Sequence, residues 1–401
     1  MCPSYRVTRD EQHLTRGRAN TLRLALSGQL GADAFTSEAM HDTMDLCVGC
    51  KGCRRDCPTG VDMARMKIEF LAHYSARHGH SLKDRLVACL PDYAALASRV
   101  PWLLNLRDVL PGAAWLSEKL LGLSARRSLP RWRSDTFWRA SDASMFSSRD
   151  ETIAAAAAGA RTAVLFVDTF NGSFETENAL AAARVLKAAG YTVHTPTRPG
   201  GHFCCGRTYL ASGRVEEARA RAGALIDALL PLARAGIAIV GLEPSCLLTL
   251  RDEALVMGLG ERAEIVATQA LLFGEFIARE AGAGRFDLEL KPADRPILLH
   301  GHCHQKAFGA VSPILDVLRL IPGARPELIE SSCCGMAGSF GYEAKHYAVS
   351  MQMAEASLLP ALRRAPDAIV VADGTSCRHQ IADGAGRQAV HVARLLDSLL
   401  E

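Results

Sequence analysis

Cys47, Cys50, Cys53 and Cys57, with Pro58 directly after, constrain this chain more than any other feature. The spacing Cys-x2-Cys-x2-Cys-x3-Cys-Pro wraps cysteine thiolates around a [4Fe–4S] cluster. A backbone carrying it has to curl into a small concavity rather than continue as a regular helix or strand. Proline steers the residue before it out of the helical region, and in two-cluster ferredoxins that cysteine serves the other cluster. Zinc sites favour two separated Cys-x2-Cys pairs, and disulfides need an oxidising compartment, of which the sequence gives no sign. Cys47, Cys50, Cys53 and Cys57 are therefore expected metal ligands.

Seven further cysteines fall into two groups that repeat in order. Residues 162–168 read as a buried strand, 175–189 as a helix and 191–194 as a strand, followed by Cys204, Cys205 and Gly206. A helix over 215–235 then runs into a strand over 237–246 that ends on Cys246. The order returns with a strand over 296–303, a helix over 306–320 and a strand over 327–330, then Cys333, Cys334 and Gly335. A helix over 342–364 and a strand over 368–377 follow, ending on Cys377. Strands alternating with helices, twice over, predict two α/β units with largely parallel sheets. Adjacent side chains on an extended backbone point to opposite faces, so neighbouring thiolates need a tight turn to share a target. Gly206 and Gly335 supply that freedom and lack the Cβ that would keep the backbone off a bulky cluster.

The two groups differ in ligand count. The second offers Cys303, Cys333, Cys334 and Cys377, a full set of four, which predicts a cluster there. The first offers Cys204, Cys205 and Cys246, with Phe170 near the place that matches Cys303, so it needs His202, a residue of the other repeat or an exogenous ligand. If the strand continues through His300, His302 and His304, these share one face and Cys303 takes the other, so the three are not all expected on the metal that Cys303 holds. Beside a cluster they would tune its potential or move a proton; otherwise they are hydrogen-bonded groups at a sheet edge.

Charge and hydropathy exclude other classes. The net charge of +3 is small and the basic residues are scattered, which argues against nucleic acid. No apolar run of about eighteen residues is present, so no transmembrane segment is expected, and the arginine-rich first thirty residues lack a signal-peptide core. Unpaired thiols suit the cytoplasm. Residues 81–150 mix Leu, Trp and Arg between Pro91, Pro101, Pro111 and Pro130; such helices either contact the inner face of the membrane or pack the modules together, and the proline spacing favours packing. The expected fold is mixed all-α and α/β: a helical ferredoxin-like domain over 1–80, a helical linker over 81–160, and Cys-Cys-Gly cysteine-rich α/β domains over 161–285 and 286–401.

These motifs carry a family resemblance. The Cys-Cys-Gly repeats look like the cysteine-rich domain of heterodisulfide reductase B-type subunits and of glycolate oxidase and glycerol-3-phosphate dehydrogenase iron–sulfur subunits. More closely, the whole chain resembles the C-terminal iron–sulfur half of FAD-linked D-2-hydroxyacid dehydrogenases of the D-lactate and D-2-hydroxyglutarate type, above all over 46–70, 241–250, 299–307 and 333–342. The resemblance implies an electron-transfer component of an oxidoreductase, with two or more [4Fe–4S] clusters and no FAD or substrate domain of its own. It would relay electrons from an FAD-binding 2-hydroxyacid dehydrogenase domain or subunit to an acceptor such as quinone. Such relatives carry an upstream cysteine group ending in Cys-Pro, and residues 1–5 look like its tail, as if the chain starts inside a motif. On that reading Cys2 joins Cys47, Cys50 and Cys53, and Cys57 serves a further cluster; on the other, Cys57 is the fourth ligand. Heterodisulfide reductase relatives end each unit with Cys-x2-Cys, whereas Glu243 and Gly374 stand at the earlier position here, which favours a single [4Fe–4S] cluster over a double-cubane one. The alternative function is a catalytic reductase or metal-binding module whose open Cys-Cys-Gly site acts on a thiol, disulfide or quinone.

Overall fold

Side-chain caps start the helices of the N-terminal part in the structure, a computed structural model that describes residues 2–198 and 201–401. Met1, the first residue of the Cys-Pro tail motif, lies outside the described residues. Ser37 accepts from the Met40 N–H, Asp62 from Ala64 and Arg65, and Ser81 from Asp84, opening helices Glu38–Asp45, Met63–His78 and Leu82–Ala88. Each cap satisfies an amide that the helix leaves without a partner. With Thr15–Leu26 these helices bury Leu22, Met40, Met44, Met63 and Phe70. The cysteine run loops between Glu38–Asp45 and Met63–His78, and Gly49 (φ 60°) and Lys51 (φ 59°) supply its left-handed turns.

Among the described residues eight strands build two sheets. β1 (Thr162–Phe166), β2 (Thr192–His194), β3 (Ala238–Gly241) and β4 (Ala270–Leu272) run in the order β2-β1-β3-β4. β5 (Ile297–Leu299), β6 (Glu327–Leu328), β7 (Ile369–Val371) and β8 (Ala389–Val390) run in the order β6-β5-β7-β8. Every pairing is parallel, so the two sheets share one topology. A single apolar core, including Leu165, Val240, Phe276, Leu299, Val317 and Leu396, runs between the units and joins them. In each sheet the chain leaves the central strand first to one side and then to the other, which opens a crevice beyond the strand C-termini between β1 and β3 and between β5 and β7. Cys246, Cys303 and Cys377 follow strands that border these crevices, and the adjacent cysteine pairs Cys204–Cys205 and Cys333–Cys334 follow the edge strands β2 and β6.

Several boundaries fall earlier than expected. β3 stops at Gly241, because Glu243 caps and Pro244 begins helix Pro244–Leu250, so Cys246 sits on a helical first turn rather than a strand end. Cys377 likewise lies on the first turn of Thr375–Ala385. The helix expected over 342–364 is two, Tyr347–Glu355 and Leu358–Arg364, and that over 306–320 is also two, Cys303–Ala307 and Ser312–Arg319. In the linker, Leu82–Ala88 and Leu90–Ala97 pack as expected through Ala88, Pro91, Ala94 and Ala97. The hairpin Pro101–Val109 and Ala113–Leu121 does not: it buries no residue, and Trp102 and Trp115 are 67% and 59% exposed. No described helix is long and apolar enough to cross a membrane.

Candidate metal centres

The N-terminal cysteines face one cavity of about 280 Å³, lined by Cys2, Cys47, Cys50, Cys53 and Cys57. At roughly 30 Å³ per water that is room for a group of several atoms rather than a lone ion. Cys2 stands beside the buried Arg18, whose Nη1 lies 3.4 Å from its sulfur, and 3.2 Å from the Ser4 hydroxyl. Burial opposes ionisation of the Cys2 thiol, but Ser4 and Arg18 outweigh it and lower its pKa. The Met63 N–H, at the start of a helix, donates to Cys53 Sγ at 3.4 Å. Cys57 is paired with the Thr59 hydroxyl at 3.1 Å, and this hydrogen bond lowers its pKa.

The second repeat gathers its cysteines more tightly. Cys303 opens helix Cys303–Ala307, Cys333 and Cys334 occupy the turn after β6, and Cys377 follows β7. A ring nitrogen of His300 and the sulfurs of Cys334 and Cys377 all lie within 4.8 Å of one another, and all three residues are buried. Cys303 and Cys333 share a hydrogen bond, the largest cause holding the Cys303 thiol down at about 6. The strand geometry expected for these histidines does not arise, though not all three are gathered at the cysteines. β5 stops at Leu299, so strand alternation ends before His300. His302 instead caps the helix, accepting from the His304 N–H at 3.2 Å, and its ring fills the space at Gly374, where a Cβ would meet it at 2.4 Å. His304 Nε2 is hydrogen-bonded to the Gly49 carbonyl at 3.0 Å, inside the N-terminal cysteine run.

Gly206 (φ 84°) and Gly335 (φ 92°) do adopt the left-handed backbone expected of them. Their missing Cβ has another purpose than expected: it would stand 2.6 Å from the Ala218 carbonyl oxygen or 2.2 Å from that of Ser350. The glycines admit a neighbouring helix rather than a cluster.

In the first repeat Cys205 and Cys246 are buried and Cys204 is partly open. Asp168 caps helix Thr169–Ser173 as His302 caps Cys303–Ala307, so Thr169, not Phe170, takes the place of Cys303. The Thr169 hydroxyl lies 3.0 Å from Nε2 of His202, whose ring stacks on Trp138 and is held by burial, with help from Arg198, at a pKa of about 4. Two buried carboxylates, Asp168 and Glu243, stand near Cys246. Burial, and then Glu243, raises Asp168 to about 6, while Glu243 Oε2 accepts from the Thr375 N–H at 2.8 Å, at the start of the helix that carries Cys377. Sequence reasoning noted Glu243 only as a missing cysteine.

The three centres meet at one seam. Val48 and Cys50 pack on the cluster of residues that holds Cys303, Cys333, Cys334 and Cys377, and the proximity of Cys303 is, after burial, the main cause raising the Cys50 pKa. Lys51, in the same loop, is buried against Asp62 (3.1 Å), Asp252 (2.6 Å) and Glu253 (3.0 Å). Arg54 and Arg65 also pair with Asp252, and Arg207, two residues after Cys205, pairs with Glu253. Nothing in the spacing of these charges marks them as partners.

Comparison with known proteins agrees with this geometry. The 4Fe-4S dicluster domain matches residues 1–61, and the cysteine-rich domain matches twice, over 168–251 and 299–382. The chain is 27% identical to the D-2-hydroxyglutarate dehydrogenase of Escherichia coli K12 and 26% identical to that of Pantoea ananatis, in both cases over its whole length and 42% of the relative. It is also 26% identical to one of the subunits of the anaerobic glycerol-3-phosphate dehydrogenase of Escherichia coli K12, over 74% of this chain and 72% of that one. The chain thus spans well under half the length of the D-2-hydroxyglutarate dehydrogenases it matches. These domains support iron–sulfur cluster binding and a role in electron transfer.

Proposed function

We propose that this chain, with one 4Fe-4S dicluster domain and two cysteine-rich domains, relays electrons from a reduced flavin on a 2-hydroxyacid dehydrogenase domain or subunit to an acceptor such as quinone. The observation that carries the reading is the contact of Cys50 with the Cys303 group, reinforced by His304 on Gly49: two thiolate centres adjoin with no intervening module. [4Fe–4S] clusters held there supply one-electron transfer. We assign Cys2, rather than Cys57, to the set with Cys47, Cys50 and Cys53, because Cys2 is backed by Arg18 while Cys57 turns to Thr59. Cys303, Cys333, Cys334 and Cys377 supply the second-repeat thiolates, with half-buried Lys306 offsetting their charge. Cys204, Cys205 and Cys246, beside Thr169 and His202, leave the first repeat the more open centre.

The exposed hairpin favours an acceptor at a lipid surface. Trp102 and Trp115 stand beside exposed Arg99, Lys119, Arg126 and Arg131, against the exposed acid Asp108, a pattern that suits an anionic bilayer interface. The intact chain should sediment with vesicles containing anionic lipid, and Trp102→Ser with Trp115→Ser should abolish this; a chain that ignores such vesicles contradicts the placement.

The relay is tested by mixing the anaerobic, oxidised chain with a D-2-hydroxyglutarate-reduced flavoprotein and following visible absorbance. Bleaching of a broad iron–sulfur band, reversed by a quinone analogue, is expected. An unchanged spectrum despite full reduction of the flavin would overturn the proposal.

A further inference from the structure

A groove opens at the foot of the exposed hairpin Pro101–Val109 and Ala113–Leu121. Gly122 ends the second helix in the left-handed region (φ 69°), and its carbonyl accepts from the Ala344 N–H at 2.8 Å. Two residues on, the Ser124 N–H donates to the Tyr342 carbonyl at 2.7 Å. These bonds fix the foot of the hairpin to the segment that follows the second double cysteine. The start of helix Leu82–Ala88 forms the remaining side, and the space between, about 400 Å³, holds a small organic ligand.

The lining divides by chemistry. Leu82, Leu120 and Leu121 make an apolar side, with Leu82 and Leu120 62% and 72% exposed. The other side carries Lys83, Lys345 and Glu343. Lys83 Nζ lies 2.8 Å from Glu343 and 3.5 Å from Asp84, and Lys345 Nζ lies 2.8 Å from Asp45. An ammonium has three N–H groups, so each lysine keeps at least one for a ligand oxygen, while Glu343 is already neutralised by Lys83. Donors on one side and hydrocarbon on the other fit a molecule with carbonyl acceptors on an apolar body.

The polar side also adjoins both thiolate centres. Asp45 stands two residues before Cys47, at most about 7.6 Å along the Cα trace. Lys67 Nζ ties the carbonyls of Asp45 and Cys47 together at 3.0 and 2.7 Å. Tyr342, next to Glu343, packs with Cys333, Cys334 and Cys377. His346, buried between these groups, lies 2.7 Å from Asp45 and 3.5 Å from Glu343.

We infer that this groove is where quinone is bound and reduced, its carbonyl oxygens accepting from Lys83 and Lys345 and its apolar body lying along Leu82, Leu120 and Leu121. The inference rests on the reading of the chain as a relay to quinone. The quinone takes two electrons, one at a time, from the iron–sulfur centres and two protons from solvent at the open mouth. It leaves as the quinol, and the centres are reoxidised. A hairpin seated at the lipid surface brings the mouth to where a lipid-soluble acceptor arrives.

The test uses the intact, anaerobically purified chain and an azido-substituted short-chain benzoquinone. Illumination should attach the label within 81–83, 120–122 or 343–345, read by mass spectrometry of the peptides, and excess unlabelled quinone should prevent it. Labelling confined to other segments would overturn the inference. A label displaced by anionic lipid alone and not by unlabelled quinone marks a headgroup site and would overturn it too. Ala344→Trp, which fills the groove, should slow reoxidation of the prereduced chain by the benzoquinone at least about tenfold and leave reoxidation by ferricyanide unchanged. Equal quinone rates in variant and parent would refute the groove and leave quinone as the acceptor. A prereduced parent that quinone does not reoxidise would overturn that reading and the inference with it. Labelling of the parent needs no substitution, so a variant that fails to fold leaves the inference exposed.

Discussion

Replacing Lys51 by Met should loosen the seam between the cysteine run and the first α/β unit by about 3 kcal/mol. Removing one partner from a buried ion network costs about 3–5 kcal/mol, chiefly through the charges left without compensation. Here the losses are uneven. Glu253 keeps Arg207 at 2.6 Å, and Asp62 keeps the Ala64 N–H at 3.0 Å and Arg65 at 3.6 Å. Asp252 keeps Arg54 and Arg65 on Oδ1, but Oδ2 loses the Lys51 ammonium at 2.6 Å, its one close charge. Lys51 is one of four cations facing three carboxylates, so the remaining charges still balance and the cost falls at the low end of the range. Hydrogen exchange reads this directly: amides of Met63–His78 near the seam should exchange about 100-fold faster, since each 1.4 kcal/mol is tenfold. Adding Asp252→Asn to Lys51→Met should restore part of the protection. A change below about 0.5 kcal/mol, or a second substitution that makes matters worse, would refute the view that Lys51 clamps the modules.

Other consequences follow from the ligand assignments and buried charges. Cys2→Ser should lower the bound iron while Cys57→Ser leaves it near the parent value; the reverse order in iron analysis would hand the fourth position to Cys57. Cys377→Ser should remove about one cluster, roughly four iron atoms for a [4Fe–4S] centre, and Cys246→Ser fewer, with equal losses counting against the distinction between the repeats. Asp168, raised to about 6, binds its proton more tightly folded than unfolded, so its share of stability falls as pH rises from about 4 to 6, by up to about 3 kcal/mol. Asp168→Asn should flatten that fall in the pH dependence of the urea midpoint, and an unchanged slope would exclude the carboxyl as its source.

The alternation of apolar strands with helices, twice repeated, made the two α/β units legible in the sequence because burial on both faces of a parallel sheet leaves continuous apolar runs such as 163–167 and 237–240. The cysteine run was legible because its spacing reflects local backbone geometry. What the sequence concealed is long-range or depends on where a strand stops. Extending β5 by a few residues put His300 on the wrong side, and one cap residue, Asp168, moved the counterpart of Cys303 from Phe170 to Thr169. Lys51, Asp252 and Glu253 come from distant segments, so no local pattern could pair them. The hairpin Pro101–Val109 and Ala113–Leu121 misled because proline spacing reports helix length, not what covers the helix afterwards.

Iron and acid-labile sulfide measured together on the intact, anaerobically purified chain test the central claim most directly. The ligand sets at Cys2, Cys47, Cys50 and Cys53 and at Cys303, Cys333, Cys334 and Cys377 predict a brown protein with iron and sulfide in near-equal amounts, at least about eight of each for two [4Fe–4S] centres. Stoichiometric zinc without sulfide would contradict it.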